Sequence, residues 1–239
     1  MSPELLILLV LSPTAAVVAA LCFIMWRARS PATAPTVLVS GAVLALWAIT
    51  AAVLATRGVF LQPDEQALPP VGIALLIIFA VLGAALSGSA SLRSLLTNQR
   101  HLIRLNVWRL EGIVFLLLMF AGQMPALWAL PAGIGDILVG ATAFWVAARL
   151  STPHGTRTAI RFNLFGLADL VVAVGLAMMT SPGPARVFDT SPTSELVTRF
   201  PLVLVPTFLV PLAFALHIVS LLQLIGGSWA RPVVSARRA

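Results

Sequence analysis

Long apolar runs dominate the chain, and short polar segments separate them. Seven runs reach the roughly 20 residues that a helix needs to cross the hydrocarbon core of a bilayer, which is about 30 Å thick. They cover residues 4–26, 36–56, 70–92, 104–124, 126–148, 160–180 and 197–226. Their apolar residues do not alternate with polar ones, as those of membrane strands would. The pattern predicts an all-α polytopic membrane protein in which residues 1–239 form a single bundle of seven transmembrane helices.

The composition indicates that lipid is the main solvent of the chain. Of the 239 residues, 59% are hydrophobic and only 10% are charged, and the mean hydropathy is +1.02. A soluble domain carries about 25% charged residues. The segments between the runs are short and rich in Pro, Ser and Thr, which is typical of turns and loops. We therefore predict no soluble domain.

The basic residues fall mainly on one side of this predicted bundle. All fifteen are arginine, and one of them, Arg109, lies well inside a predicted helix, whereas the others lie in the connecting segments or near the helix ends. One set of loops holds Arg27, Arg29, Arg93, Arg100, Arg104, Arg149, Arg157, Arg161, Arg231, Arg237 and Arg238. The other set holds Arg57, Arg186 and Arg199, together with Glu4, Asp64, Glu65, Asp189 and Glu195. The positive-inside rule then predicts an outside N-terminus and a cytoplasmic C-terminus in the cell (inner) membrane.

The distribution of the arginines also indicates which kind of partner the net charge of +7 suits. The arginines are spread over several loops without interleaved exposed aromatic residues, which argues against nucleic acid as a partner. They indicate instead contacts with anionic lipid headgroups at the cytoplasmic surface.

Away from the helix ends, every charged residue and histidine inside the predicted helices lies in the last four of them. A rise of 1.5 Å per residue places these residues between the cytoplasmic third of the bilayer and its midplane. Charged groups at such depth cost several kcal/mol unless they are paired or hydrated, and they normally face the bundle interior. We therefore expect one shared polar cluster that binds a proton or a ligand. Its candidate members are Arg109, Glu111, Asp136, Asp169 and His217, with Asn163 near the cytoplasmic entrance.

Helix geometry limits which residues can join this cluster. Arg109 and Glu111 are two residues apart, so on an α-helix they point about 200° away from each other. The sequence predicts that only one of them enters the cluster unless the helix is distorted. Arg109 is the better candidate to reach out to the headgroups, because its aliphatic stem is long.

Two further patterns concern the arrangement of the helices. The motif Gly133-Ile-Gly-Asp136 recurs 33 residues later as Gly166-Leu-Ala-Asp169. On antiparallel helices it suggests an inverted pair of the kind found in transporters, or else chance in a chain rich in small and aliphatic residues.

The seventh run contains three prolines, and each interior proline removes a helical hydrogen bond. They predict a kinked or partly unwound helix, which is either a static kink or a hinge formed by Pro201, Pro206 and Pro211.

Several kinds of chemistry are disfavoured by the residues present. The absence of lysine excludes a retinal Schiff base, and a single intramembrane histidine argues against a bis-histidine haem. Zinc-type ligands are too few, so we predict neither a metal nor a cofactor. Carboxylates with one histidine are typical of proton relays and cation sites.

The leading hypothesis is a proton- or cation-linked carrier of a small molecule, which is not an enzyme. One alternative is a membrane-embedded enzyme or binding protein for a lipid or quinone-like ligand. The other is a structural membrane subunit. The sequence predicts neither a substrate nor an oligomeric state.

Three segments carry a resemblance to a known group of proteins. They read NVWRLEGIVFLLLMFAGQMPALWALPAGIGD, FNLFGLADLVVAV and FPLVLVPTFLVPLAFALHIVSL. Over roughly residues 104–224 the chain resembles a group of uncharacterised bacterial multi-pass membrane proteins. The resemblance implies a bacterial inner-membrane setting, and it implies no activity or substrate.

Overall fold

The structure, a computed structural model, describes residues 2–61 and 69–226. It is 80% helical, and no strand occurs among the described residues. The α-helices are α1 (Pro3–Ala28), α2 (Ala34–Thr56), α3 (Pro70–Gly88), α4 (Ala90–Leu95), α5 (Gln99–Arg104), α6 (Ile113–Phe120), α7 (Ala126–Arg149), α8 (Gly155–Thr180) and α9 (Val210–Gly226). Two 3-10 helices, Leu105–Gly112 and Ser194–Thr198, and a π-helical segment, Val205–Leu209, complete the secondary structure. Asp64, Glu65, Arg231, Arg237 and Arg238 lie outside the described residues.

Six helical stretches are long and apolar enough to cross a membrane. They are Pro3–Ala28, Ala34–Thr56, Pro70–Gly88, Ala126–Arg149, Gly155–Thr180 and Val205–Gly226. The expectation of an all-α protein with several membrane helices is thus confirmed. The third predicted run ends earlier than its apolar residues suggested, at Gly88 rather than 92. The reason is that Ser89 adopts an extended conformation and its hydroxyl accepts a hydrogen bond from Leu92 N at 3.1 Å, which starts α4.

The fourth predicted run differs most from a regular helix. Helical structure begins at Gln99, earlier than expected, and continues to Phe120 through three kinds of segment, namely α5, the 3-10 helix 105–112 and α6. Gly122 then turns the chain with φ of 68°, which a residue with a side chain rarely adopts. No single regular helix of membrane-spanning length covers this run, so it is not one of the six.

The core lies where the 3-10 helix 105–112, α7, α8 and α9 meet. Glycines permit this close packing, because a Cβ at Gly112 would lie 2.7 Å from the carbonyl oxygen of Gly133. A Cβ at Gly140 would likewise lie 2.7 Å from Leu110 N. α2 and α3 have few buried residues, and most of their large apolar side chains face outward. This exposure suits helices that contact lipid.

The three prolines of the last run lie before regular α-helix α9 or in its first turn. Pro201 precedes the helical part, Pro206 lies in the π-helical segment 205–209, and Pro211 lies in the first turn of α9. The irregular backbone has a partner on a neighbouring helix, because Trp47 Nε1 donates a hydrogen bond to Thr207 O at 2.8 Å.

Candidate functional site

Arg109 points into the centre of the bundle and has no exposed surface. The expectation that it reaches the headgroups is therefore wrong, and the reason is the local backbone. A 3-10 helix has three residues per turn, so residues at i and i+3 are eclipsed. Asn106, Arg109 and Gly112 consequently share one face, and a Cβ at Gly112 would lie only 2.6 Å from Asp136 Cβ. This face is the one that packs on α7.

Arg109 binds two carboxylates from two different helices. Its Nε donates to Asp136 Oδ1 of α7 at 2.6 Å, and its Nη2 forms an ion pair with Asp169 Oδ2 of α8. The Asp169 side chain is 7% exposed and that of Asp136 is 14% exposed. Arg109 Nη1 also approaches Gly166 O at 3.4 Å. The two aspartates of the repeated motif thus meet at one guanidinium.

His217 of α9 lies beside the guanidinium and is completely buried. Its Nε2 is 3.1 Å from Arg109 Nη1, which can only donate, so Nε2 accepts. Its Nδ1 is 2.9 Å from Asn163 Oδ1, while Asn163 Nδ2 donates to Ala159 O at 2.9 Å. Nδ1 therefore carries the proton, and His217 is neutral in this arrangement. We name Arg109, Asp136, Asp169, His217 and Asn163 the Arg109 cluster.

Two glycines leave room for the buried side chains of the cluster. A Cβ at Gly166 would collide with the imidazole ring of His217, and a Cβ at Gly135 would collide with the carboxylate of Asp169. Both glycines lie within the repeated motif. The requirement for close approach gives these positions a physical reason to be glycine, whatever the origin of the repeat.

The cluster continues as a chain of hydrogen bonds that the sequence did not suggest. Asn163 Nδ2 donates to Ser220 Oγ at 2.8 Å, and Ser220 Oγ donates to Gln99 Oε1 at 2.7 Å. Gln99 Nε2 donates to Gln223 Oε1 at 2.9 Å, and Gln223 Nε2 donates to Leu96 O at 2.6 Å. Ser220 shares a helix face with His217, and this i, i+3 spacing was the one available signal. The glutamines lie near the ends of helices, where polar residues are ordinary.

Glu111 is not part of the cluster. In the 3-10 helix it shares a face with Leu105 and Trp108, away from the face of Arg109. The residue is only 7% exposed, and neither carboxyl oxygen has a hydrogen-bond partner among the described residues. Trp108 Nε1 on the same face is also buried without a partner there. Glu111 is therefore a third buried carboxyl group, and no hydrogen bond among the described residues joins it to the Arg109 cluster.

A cavity leads from one end of the bundle to Asp136. Ser181, Pro182 and Glu195 lie at the end where α8 finishes, and Asp136 lines the inner part. Asp136 is ten residues into α7, which corresponds to a depth of about 15 Å. The cavity offers about 80 Å³ to water-sized molecules, and one water needs about 10–15 Å³ by a comparable measure. Asp136 Oδ2 receives no hydrogen bond from the described residues, so this atom is free to bind what enters.

The charges of the cluster do not balance. With both aspartates ionised and His217 neutral, one arginine faces two carboxylates. A net charge at this depth costs several kcal/mol, so a neutral cluster requires one more positive charge. A proton on one carboxylate or a bound cation would supply it. Among the described residues no group of three or more His, Cys, Asp or Glu is placed to hold a metal ion.

Apolar helices around a buried polar cluster define a multi-pass helical membrane protein. The chain belongs to the family described as Domain of unknown function (DUF8737), which matches residues 68–225. The matched region contains the whole Arg109 cluster and the cavity residues from Pro69 onward, whereas α1 and α2 precede it. No curated protein and no solved structure matches the chain.

Proposed function

We propose that the chain is a proton- or cation-linked carrier of a small molecule and that the Arg109 cluster is its exchange site. One observation carries the proposal: two carboxylates share one arginine at the inner end of a cavity. The cluster needs one further positive charge, and the cavity gives that charge a route to Asp136. Carboxylates within membrane helices commonly mark proton and ion pathways.

The proposal includes a seven-helix topology in the cytoplasmic membrane. The run 99–120 is the additional span, the fourth in chain order, which brings the six helices to seven. Its α-helical and 3-10 segments together extend about 37 Å at their ordinary rises per residue. The N-terminus then lies outside and the C-terminus in the cytoplasm, with the loop arginines at anionic lipid headgroups. In this orientation the cavity opens to the outside.

The segment 205–209 is the proposed moving element. Val205 and Pro206 line the cavity, and α9, which follows directly, carries His217 into the cluster. A change in this segment would therefore act on the cavity wall and on the cluster together. Irregular helix next to a binding site is also a feature of transporters with discontinuous helices.

Proton flux into vesicles tests the proposal. Purified protein is reconstituted into liposomes that enclose a pH-sensitive dye, and a pH gradient is imposed. We expect the wild type to dissipate the gradient faster than protein-free vesicles, and Asp136→Asn to abolish the difference. Asp189→Asn, the same change at an exposed carboxylate that does not line the cavity, is the matched control and should behave like the wild type. A wild type no faster than protein-free vesicles, or an unchanged Asp136→Asn variant, would overturn the proposal.

A structural role is the second candidate, and the ties made by Arg109 favour it. This one side chain contacts Asp136 of α7, Asp169 of α8 and His217 of α9. Such ties would fix the register of the helices without any exchange of protons. In that case Asp136→Asn would alter the thermal stability and leave the proton permeability of the vesicles unchanged.

A further inference from the structure

The walls and the inner end of the cavity have opposite characters. The wall consists mainly of apolar side chains from α3, α6, α7, α8 and α9, including Leu75, Phe115, Trp128, Leu170, Val174 and Val210. Asp136 lies at the inner end, and Glu195 at the mouth is paired with Arg199 at 2.8 Å. None of the described lining residues is basic. Such a site matches a ligand with an apolar body and one positive charge.

Two aromatic rings form a rigid part of the wall. Phe115 and Trp128 make an edge-to-face contact with ring centroids 4.8 Å apart. Trp128 Nε1 donates to Ala173 O at 2.9 Å, which fixes the indole. Trp128 and Asp136 lie on one face of α7, two turns or about 12 Å apart. A ligand whose charge reaches Asp136 would extend its body towards these rings, and aromatic faces attract cations.

The lining favours an organic cation over an inorganic one. A small inorganic ion must replace its water shell with several oxygen ligands. Near the inner end Asp136 is the polar side chain of the lining, while Ser181, Thr198 and Glu195 lie towards the mouth. An alkyl or aryl ammonium carries carbon substituents around its nitrogen instead of a tightly held water shell. It therefore needs few oxygen ligands, and apolar walls stabilise it.

We propose that the cavity binds a hydrophobic monovalent organic cation, an alkyl or aryl ammonium, at Asp136. The inference rests on the proposed function, because the cation takes the place of the extra proton of the cluster. When the ammonium enters, the shared proton leaves the carboxyl group for the solvent, and the carboxylate pairs with the ammonium. The total charge of the cluster stays the same, so binding of one cation releases one proton.

Calorimetry with a matched pair of ligands tests this inference. The protein is placed in lipid nanodiscs, with empty nanodiscs as the reference. Benzyltrimethylammonium is compared with neopentylbenzene, its neutral isostere, in which carbon replaces nitrogen. Titrations in two buffers with different ionisation enthalpies give the number of protons released per ligand. We expect the cation to bind at least about tenfold more tightly than the isostere, since only the cation gains a desolvated ion pair, and to release one proton.

Three variants make the test specific. Asp136→Asn should weaken cation binding at least about tenfold, whereas Asp189→Asn, the same change at an exposed residue outside the cavity lining, should bind like the wild type. Asp169→Asn should also weaken binding, although Asp169 does not line the cavity, because it leaves Arg109 and Asp136 as a balanced pair. Neopentylbenzene that binds as tightly as the cation, or a cation that Asp136→Asn binds as well as the wild type does, would overturn the inference. Cation binding without proton release would instead overturn the proposed exchange of a shared proton.

Discussion

Replacing Arg109 with glutamine should destabilise the protein far more than neutralising either of its aspartates. Arg109→Gln leaves Asp136 and Asp169 with no cationic partner within the described structure. Removing one partner of a buried ion pair costs about 3–5 kcal/mol. Asp136→Asn keeps an oxygen that can accept from Arg109 Nε, and it leaves Arg109 and Asp169 as a balanced pair. We expect each single Asp→Asn variant to lose no more than about 1 kcal/mol, the net worth of one hydrogen bond.

The double variant separates charge balance from simple pairwise contacts. Asp136→Asn combined with Asp169→Asn leaves the guanidinium of Arg109 buried without a carboxylate. The expected loss returns to about 3–5 kcal/mol, well above the sum of the two single losses. Such non-additivity is the signature of groups that share one network.

The assay is thermal unfolding of these variants in one mild detergent at fixed pH. Arg186→Gln serves as the control, because it removes a surface ion pair with the exposed Asp189 and should cost at most about 1 kcal/mol. The reasoning is refuted if each Asp→Asn single is as damaging as Arg109→Gln and the double is no worse than either single.

Three further predictions concern packing and buried polar groups, each measured by thermal unfolding in detergent. Gly166→Ala should destabilise the protein because the added methyl group meets the ring of His217, whereas Gly175→Ala in the same helix meets nothing within 4 Å and should be neutral or stabilising by up to about 1 kcal/mol. Glu111→Met should raise the unfolding temperature, because a buried polar group without partners costs about 1–3 kcal/mol; a lower temperature would reveal a partner. Trp47→Phe should cost about 1 kcal/mol by removing the hydrogen bond to the π-helical segment, and no loss would show that water replaces it.

Much of the fold follows from the apolar runs, because lipid requires long helices with internal backbone hydrogen bonds. For α1, α2, α7 and α8, most of the predicted ends lie within a few residues of the observed ones. The start of α8 was placed five residues late, at 160 rather than Gly155, because its first turns are polar. The end of α3 was placed late because Ser87 to Ser91 looks like small-residue packing and gives little sign of a new helix.

The candidate site was harder to predict than the helices. Depth alone indicated that Arg109, Asp136, Asp169 and His217 lie at a similar level, and depth is readable from residue counts. The direction of the Arg109 side chain could not be predicted in this way, because it depends on a 3-10 helix. No residue between Leu105 and Gly112 indicates that the backbone changes from α to 3-10 geometry. The part played by Gln99 could not be foreseen either, since its partners are far away in sequence.

Infrared spectroscopy of the carboxyl groups tests most directly whether the Arg109 cluster holds one shared proton. The protein carries Glu111→Gln, so that this third buried carboxyl group adds no band, and it is kept in a maltoside detergent without ester carbonyls at low salt. We predict a carbonyl stretch from one protonated carboxylic acid, which shifts in deuterated water and is lost in both Asp136→Asn and Asp169→Asn. No such band in the parent protein, or a band that persists in both variants, would contradict the account.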